Sequence, residues 1–155
     1  RFTYWPQLFL GITFNYGLIL GWTAIRGEID IVPIIFYFGA IFWTLAYDTI
    51  YGFQDIIDDE IIGVKSTSIK FKKNPTQFIL ICLLIFSTTL LMTGYIMNFN
   101  YLYFLSLLLV FFHLFFYQIN KFDSKDTLSC LKLFKSNNHL GFFTFLSLLI
   151  GKFNL

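Results

Sequence analysis

Residues 47–71 read YDTIYGFQDIIDDEIIGVKSTSIKF. Asp48, Asp55, Asp58, Asp59 and Glu60 stand within thirteen residues of it, five of the nine acids in the chain. The run before them carries no charge from Val32 to Tyr47. An apolar run that stops on a crowd of carboxylates marks the edge of a bilayer, where a spanning helix of about 20 residues gives out into water.

The rest of the chain has the same character. Hydrophobic residues make up 57% and charged residues 13%, against about 25% charged in a soluble domain. Too little polar surface remains to cover a water-soluble globule, so the expected fold is an all-α integral membrane bundle of one domain. Five segments are long enough to span, at 6–25, 32–54, 77–97, 101–120 and 139–155. Pro33 falls in the first turn of the second, where a missing N–H is harmless, and Asn74-Pro75 reads as N-cap and N1 of the third. The chain opens on Arg1 and its first apolar run is a full span, so no secretory leader is read there. It is expected to be part of a longer chain.

Placing alternate loops on alternate sides collects Arg1, Lys65, Lys70, Lys72, Lys73, Lys121, Lys125, Lys132 and Lys135 on the side of the acidic stretch. Arg26 and Lys152 remain on the other. By the positive-inside rule the acidic stretch faces the cytoplasm. A net charge of +2 is too small to suggest nucleic acid. Cys82 in a span and Cys130 in a loop form no CxxC pair, which argues against a disulfide or a zinc site.

If 32–60 is one helix, Asp55 and Asp59 lie on one face about 6 Å apart along the axis, with Asp58 close by. Tyr51 precedes Asp55 by one turn, and Tyr47 and Asp48 lie deeper. Crowded carboxylates at a helix C-terminus repel each other and oppose the helix dipole. A divalent cation removes both penalties, and Mg²⁺ takes one or two carboxylates plus waters and substrate phosphates. An intramembrane acid such as Asp48 costs roughly 2.5–3.5 kcal/mol on insertion scales and should face a polar cavity. Lys65, Ser66 and Thr67 follow Gly63 and could hold a pyrophosphate. The same residues are also compatible with a solvated loop, packing tyrosines and a topogenic lysine.

Tyr47, Asp48, Thr49, Tyr51, Asp55, Asp58, Asp59, Gly63, Lys65, Ser66 and Thr67 together resemble the second aspartate-rich motif of the UbiA-type intramembrane prenyltransferases. Within that family the pattern is closest to the 4-hydroxybenzoate polyprenyltransferase branch. WPQLFLG at 5–11 and SNNHLGFFTFLSLL at 136–149 resemble two further helices of the family. The resemblance implies a fold of about nine spans, of which this chain is the C-terminal half. The first aspartate-rich motif is then absent and the piece alone inactive. It also implies transfer of a polyprenyl group from its pyrophosphate to 4-hydroxybenzoate in ubiquinone synthesis, with Mg²⁺, in a bacterial inner membrane. Under it Asp55 and Asp59, supported by Asp58, are metal ligands, and Lys65, with Ser66 and Thr67, binds pyrophosphate. Asp48 orients the phenol or stabilises the cation, and Tyr47 or Tyr51 shields that cation. Val64 replaces the family's usual Ile, and no role is carried onto Asn15.

Other readings stay open from the residues. Another aromatic acceptor is one, a cation transporter or channel using Asp48 is a second, and a non-catalytic anchor a third. His113 reads as a helix–helix hydrogen bond and His139 as the start of a helix. Leu128, Leu131 and Phe134 read as an interfacial helix. Tail length and oligomeric state leave no mark.

Overall fold

A computed structural model describes residues 2–152 and is helical throughout its regular structure. Its elements are α1 (Pro6–Asn15), α2 (Gly17–Arg26), α3 (Ile31–Gly52), α4 (Ile56–Ile61), α5 (Thr67–Lys70), α6 (Pro75–Ile96), α7 (Tyr101–Phe111), a π-helical segment (Phe112–Ile119) and α8 (Thr127–Lys152). Four stretches are long and apolar enough to cross a membrane: Pro6–Arg26, Ile31–Gly52, Pro75–Ile96 and Tyr101–Ile119.

The fifth expected span is the second half of α8. Residues 153–155 of it lie outside the described residues, and 139–152 alone fall short of the length a crossing needs. α8 also begins earlier than the sequence suggests. Asp126 opens it, accepting from Ser129 N at 3.0 Å and, through its carbonyl, from Cys130 N at 3.0 Å. The helix then runs unbroken through Asn137 and Asn138, so His139 sits mid-helix rather than at a start. Cys130, expected in a loop, is buried in the first turn of α8. Burial, with Asp126 and Asp123 behind it, pushes its thiol up to about 11, so it packs as a neutral side chain at pH 7. Both cysteines are free.

α3 is the hub, packed against α1, α6 and α8. Close approach on two sides comes from glycine, as expected where lipid supplies no hydrophobic drive between helices. A Cβ on Gly39 would overlap Thr89 Oγ1 of α6, and one on Gly11 of α1 would stand 3.0 Å from the carbonyl oxygen of Ile41. The core between α3, α6, α7 and α8 is filled by Leu45, Ile50, Phe86, Leu90, Leu107 and Leu140. α1 and α2 join through Tyr16, itself in the α-helical region, and are much more exposed than α6.

The expected single helix over 32–60 is broken. α3 stops at Gly52, whose missing side chain admits Ser68 of α5. Phe53 turns into the core at 2% exposure, 5.6 Å from the ring of Phe122. Phe53 N donates to Ile50 O at 3.2 Å and Gln54 N to Tyr51 O at 2.9 Å, tightening the last turn. α4 is therefore a separate short helix.

Candidate functional site

α3 leads from a cleft inside the bundle to the acidic edge. The cleft, about 420 Å³, opens between α1, α3 and α8 and is lined among others by Asn15, Trp43, Thr44, Tyr47, Phe134 and Asn137. Asn15 Nδ2 donates to Gly11 O at 2.8 Å, to Ala40 O at 3.2 Å and to Thr44 Oγ1 at 2.8 Å, tying α1 to α3. Asn137 Oδ1 accepts from Trp43 Nε1 and from Gln118 Nε2, each at 2.8 Å. Aromatic rings make up the rest of the wall. Tyr47 stands 5.7 Å from Trp43 and 5.8 Å from Phe134, and Tyr51 lies 4.6 Å from Phe134. Asp48 is half-buried one turn beyond Thr44 and one turn short of Gly52.

The break in the helix changes the electrostatics of the acids. Asp55 now precedes α4, and Asp58 and Asp59 lie in its first turn, where the helix dipole favours negative charge. Asp59 N donates to Asp55 O at 2.9 Å, so these two residues share the turn their spacing predicted. The continuous stripe from Asp48 does not form. Glu60 is held by Lys72 at 2.7 Å. Among the described residues no ion pair engages Asp55, Asp58 or Asp59, and no three His, Cys, Asp or Glu side chains gather as a metal cage.

Gly63, at φ +72°, closes α4. Its N–H donates to Glu60 O at 3.3 Å and that of Val64 to Asp59 O at 2.8 Å, a pair of bonds that needs a left-handed residue between them. The chain thus returns to Asp59 just before Lys65. Lys65 is half-exposed, its ammonium 3.5 Å from Phe2 O and 5.6 Å from the centre of the Tyr4 ring.

Ser66 and Thr67 are fully buried. Ser66 Oγ accepts from Ile69 N at 3.3 Å as the cap of α5. Thr67 N donates to Gln7 Oε1 at 3.1 Å, and the hydroxyls of Thr67 and Thr49 share a 2.7 Å hydrogen bond. Ser68 Oγ donates to Thr49 O at 2.8 Å. These hydroxyls are spent inside the protein, knotting the loop to α1 and α3, and Lys65 is the polar group of the trio that reaches the surface.

The structure thus brings Tyr47 to the cleft, Tyr51 to its rim, and Asp55, Asp58, Asp59 and Lys65 to the bundle's edge. Four polar residues that line or brace this region carry no role in the sequence reading: Gln7, Asn15, Gln118 and Asn137. Gln7 and Asn137 stand in the two flanking stretches that resemble the family, and the signal of Asn15 and Gln118 is an amide within an apolar helix.

A sequence model described as "UbiA prenyltransferase family" matches residues 1–148. The protein named "4-hydroxybenzoate polyprenyltransferase, mitochondrial" of Homo sapiens is 40% identical over 152 residues, which are 97% of this chain and 41% of that protein. The protein of the same name from Bos taurus is 39% identical over the same shares. That of Arabidopsis thaliana is 37% identical over 159 residues, 98% of this chain and 37% of its own. The chain spans about two fifths of the length of these curated relatives. No solved structure matches it.

Proposed function

Since the chain belongs to the UbiA prenyltransferase family, we propose that it forms one part of a membrane enzyme that transfers a polyprenyl group from its pyrophosphate to 4-hydroxybenzoate. The relatives that carry that activity in their names resemble it over 97% of its length. The structural observation that carries the reading is the pairing on α3 of an aromatic and amide-lined cleft with an acidic turn at the membrane edge.

The carboxylates fit Mg²⁺ as a partial site. They are hard oxygen donors, Asp55 and Asp58 exposed and Asp59 partly buried, and the remaining positions would fall to waters and the substrate's own phosphates. Asp55 and Asp59 hold the ion and Asp58 supports them. When bound, it offsets the charge that gathers on the departing pyrophosphate.

Lys65 binds the pyrophosphate, and Ser66 and Thr67 act through it, fixing the loop by their buried hydrogen bonds. The allylic C–O bond breaks and its electron pair leaves with the pyrophosphate. The ring carbon ortho to the phenol attacks the allylic carbon, and the proton on that ring carbon is then lost. Tyr47 offers its π-face to the cation from the cleft wall, with Tyr51 at the rim, and Asp48 orients the phenol. The lipid bilayer keeps the isoprenoid tail. The basic excess puts the acidic edge on the cytoplasmic side of a bacterial membrane, or on the matrix side if the protein shares the compartment in its relatives' names.

The test follows a labelled prenyl group into 4-hydroxybenzoate in membranes holding the complete chain. Product that vanishes on chelation, returns with Mg²⁺, and falls at least about a hundredfold in Asp55→Asn and in Asp59→Asn is expected. Undiminished transfer in both variants would falsify the metal assignment. No transfer from wild-type membranes shown to contain folded protein would turn the reading toward another acceptor.

A further inference from the structure

We infer that Asn137 is a positioning residue of the cleft: its side-chain amide fixes the Trp43 indole as the wall against which the flat acceptor ring packs, and Gln118 locks that amide in place. The inference rests on the reading of the cleft as the acceptor site.

Every hydrogen-bonding position of the Asn137 amide is filled. Oδ1 takes Trp43 Nε1 and Gln118 Nε2, each at 2.8 Å, one for each lone pair. Nδ2 donates to Leu133 O at 3.0 Å and to Phe134 O at 3.3 Å. A flipped amide would set N–H against two donors, so a single orientation survives. Trp43 is gripped from other sides too. Its ring stacks on Phe86 at 5.2 Å and 12°, meets Tyr47 edge-on at 5.7 Å, and reaches into room left by Gly141, where a Cβ would stand 3.2 Å from Cη2. The indole N–H is the polar handle of this grip, and Asn137 is what holds it.

Gln118 shows that the lock is costly. It is completely buried, and its Oε1 has no partner among the described residues. An orphaned buried acceptor is destabilising, because its desolvation goes uncompensated. Turning the amide over would relieve Oε1 only by setting it against Asn137 Oδ1, acceptor to acceptor. Gln118 lies in the π-helical segment Phe112–Ile119. π-helical turns are uncommon, gather at functional sites and shift the side chains that follow them around the helix axis. Here the shifted residue is an amide delivered to Asn137, one helix away, and the cleft gains a wall fixed before any ligand arrives.

The test uses the complete chain in membranes, with acceptor and prenyl donor varied separately. Asn137→Leu deletes both acceptor positions at similar volume, and Asn137→Asp keeps an acceptor toward Trp43 and Gln118 while losing the donors to Leu133 O and Phe134 O. Expected is an acceptor KM raised about tenfold in Asn137→Leu with donor KM within about twofold, and a smaller rise in acceptor KM in Asn137→Asp. Trp43 emission, recorded with the other tryptophans replaced by Phe, shifts in Asn137→Leu. Should Asn137→Leu fail to accumulate, Gln118→Leu and Trp43→Phe are expected to give the same KM split. Equal movement of both KM values, an unmoved acceptor KM, or unmoved emission overturns the inference. If wild type forms no product from this acceptor, the functional reading fails on its own and the emission comparison decides whether Asn137 holds Trp43.

Discussion

Two of the bundle's clefts, one toward each end of α3, are built on opposite terms. The cleft near the acidic edge is lined by Asn15, Thr44 and Asn137, whose polar atoms find partners between 2.8 and 3.3 Å away. The other, about 550 Å³, lies between α2, α3, α6 and α8 and is walled by Leu18, Phe36, Phe145 and similar side chains. Its two shielded polar atoms, Trp22 Nε1 and Thr93 Oγ1, have no partner among the described residues. One cleft is held in shape by directed bonds between helices, the other by apolar contact alone. The first suits a small rigid ring that must be oriented, and the second can deform at little cost.

That contrast is open to direct attack. The largest effect is expected at Asn15, where Asn15→Leu deletes the amide shared by α1 and α3. Interhelical hydrogen bonds in membranes are worth up to about 1–2 kcal/mol, and that is the expected loss in the unfolding midpoint in detergent. A loss under about 0.3 kcal/mol would mean the polar cleft is as soft as its counterpart.

A smaller effect is expected from Gly141→Ala. Helix propensity favours alanine by about 1 kcal/mol, while overpacking a gripped ring costs about 1–3. A net loss of about 1 kcal/mol is expected, and a net gain would show that Trp43 can move.

The smallest effect sharpens the comparison as a matched pair. Thr44→Val removes one of three acceptors around Asn15 Nδ2, leaving Gly11 O and Ala40 O for its two hydrogens, and should cost about 0.5 kcal/mol, whereas Thr93→Val removes a hydroxyl with no partner among the described residues and should cost nothing or stabilise. Equal costs at the two positions would erase the distinction between the clefts.

Much of the molecule was legible from its residues. Apolar length alone located four spanning stretches, though not the start of α8, and the acids, tyrosines and Lys65 pointed to the cleft and edge where the structure puts them. The break after Gly52 was not legible, because Phe53 reads as one more apolar helix residue until its pocket against Phe122 is known. The fate of Ser66 and Thr67 was half legible. A Ser-Thr pair after a glycine is as good a helix cap as a phosphate grip, and the deciding partners, Gln7 and Thr49, lie far off in sequence. Asn15 and Gln118 were invisible in another way. An amide within an apolar span shows that some bond must be made, and only the packed bundle shows with what.

The separation of α4 from α3 also has a mechanical consequence. A spanning helix answers a change in bilayer thickness by tilting or shifting, at a fraction of a kcal/mol per ångström of mismatch. Had the acids extended α3, every such tilt would have swung them with it. Carried instead on a six-residue helix closed by Gly63 and tethered through Lys72, they ride on the loops. Thicker or thinner lipid can then change how deep the cleft sits without swinging Asp55 and Asp59 along with it.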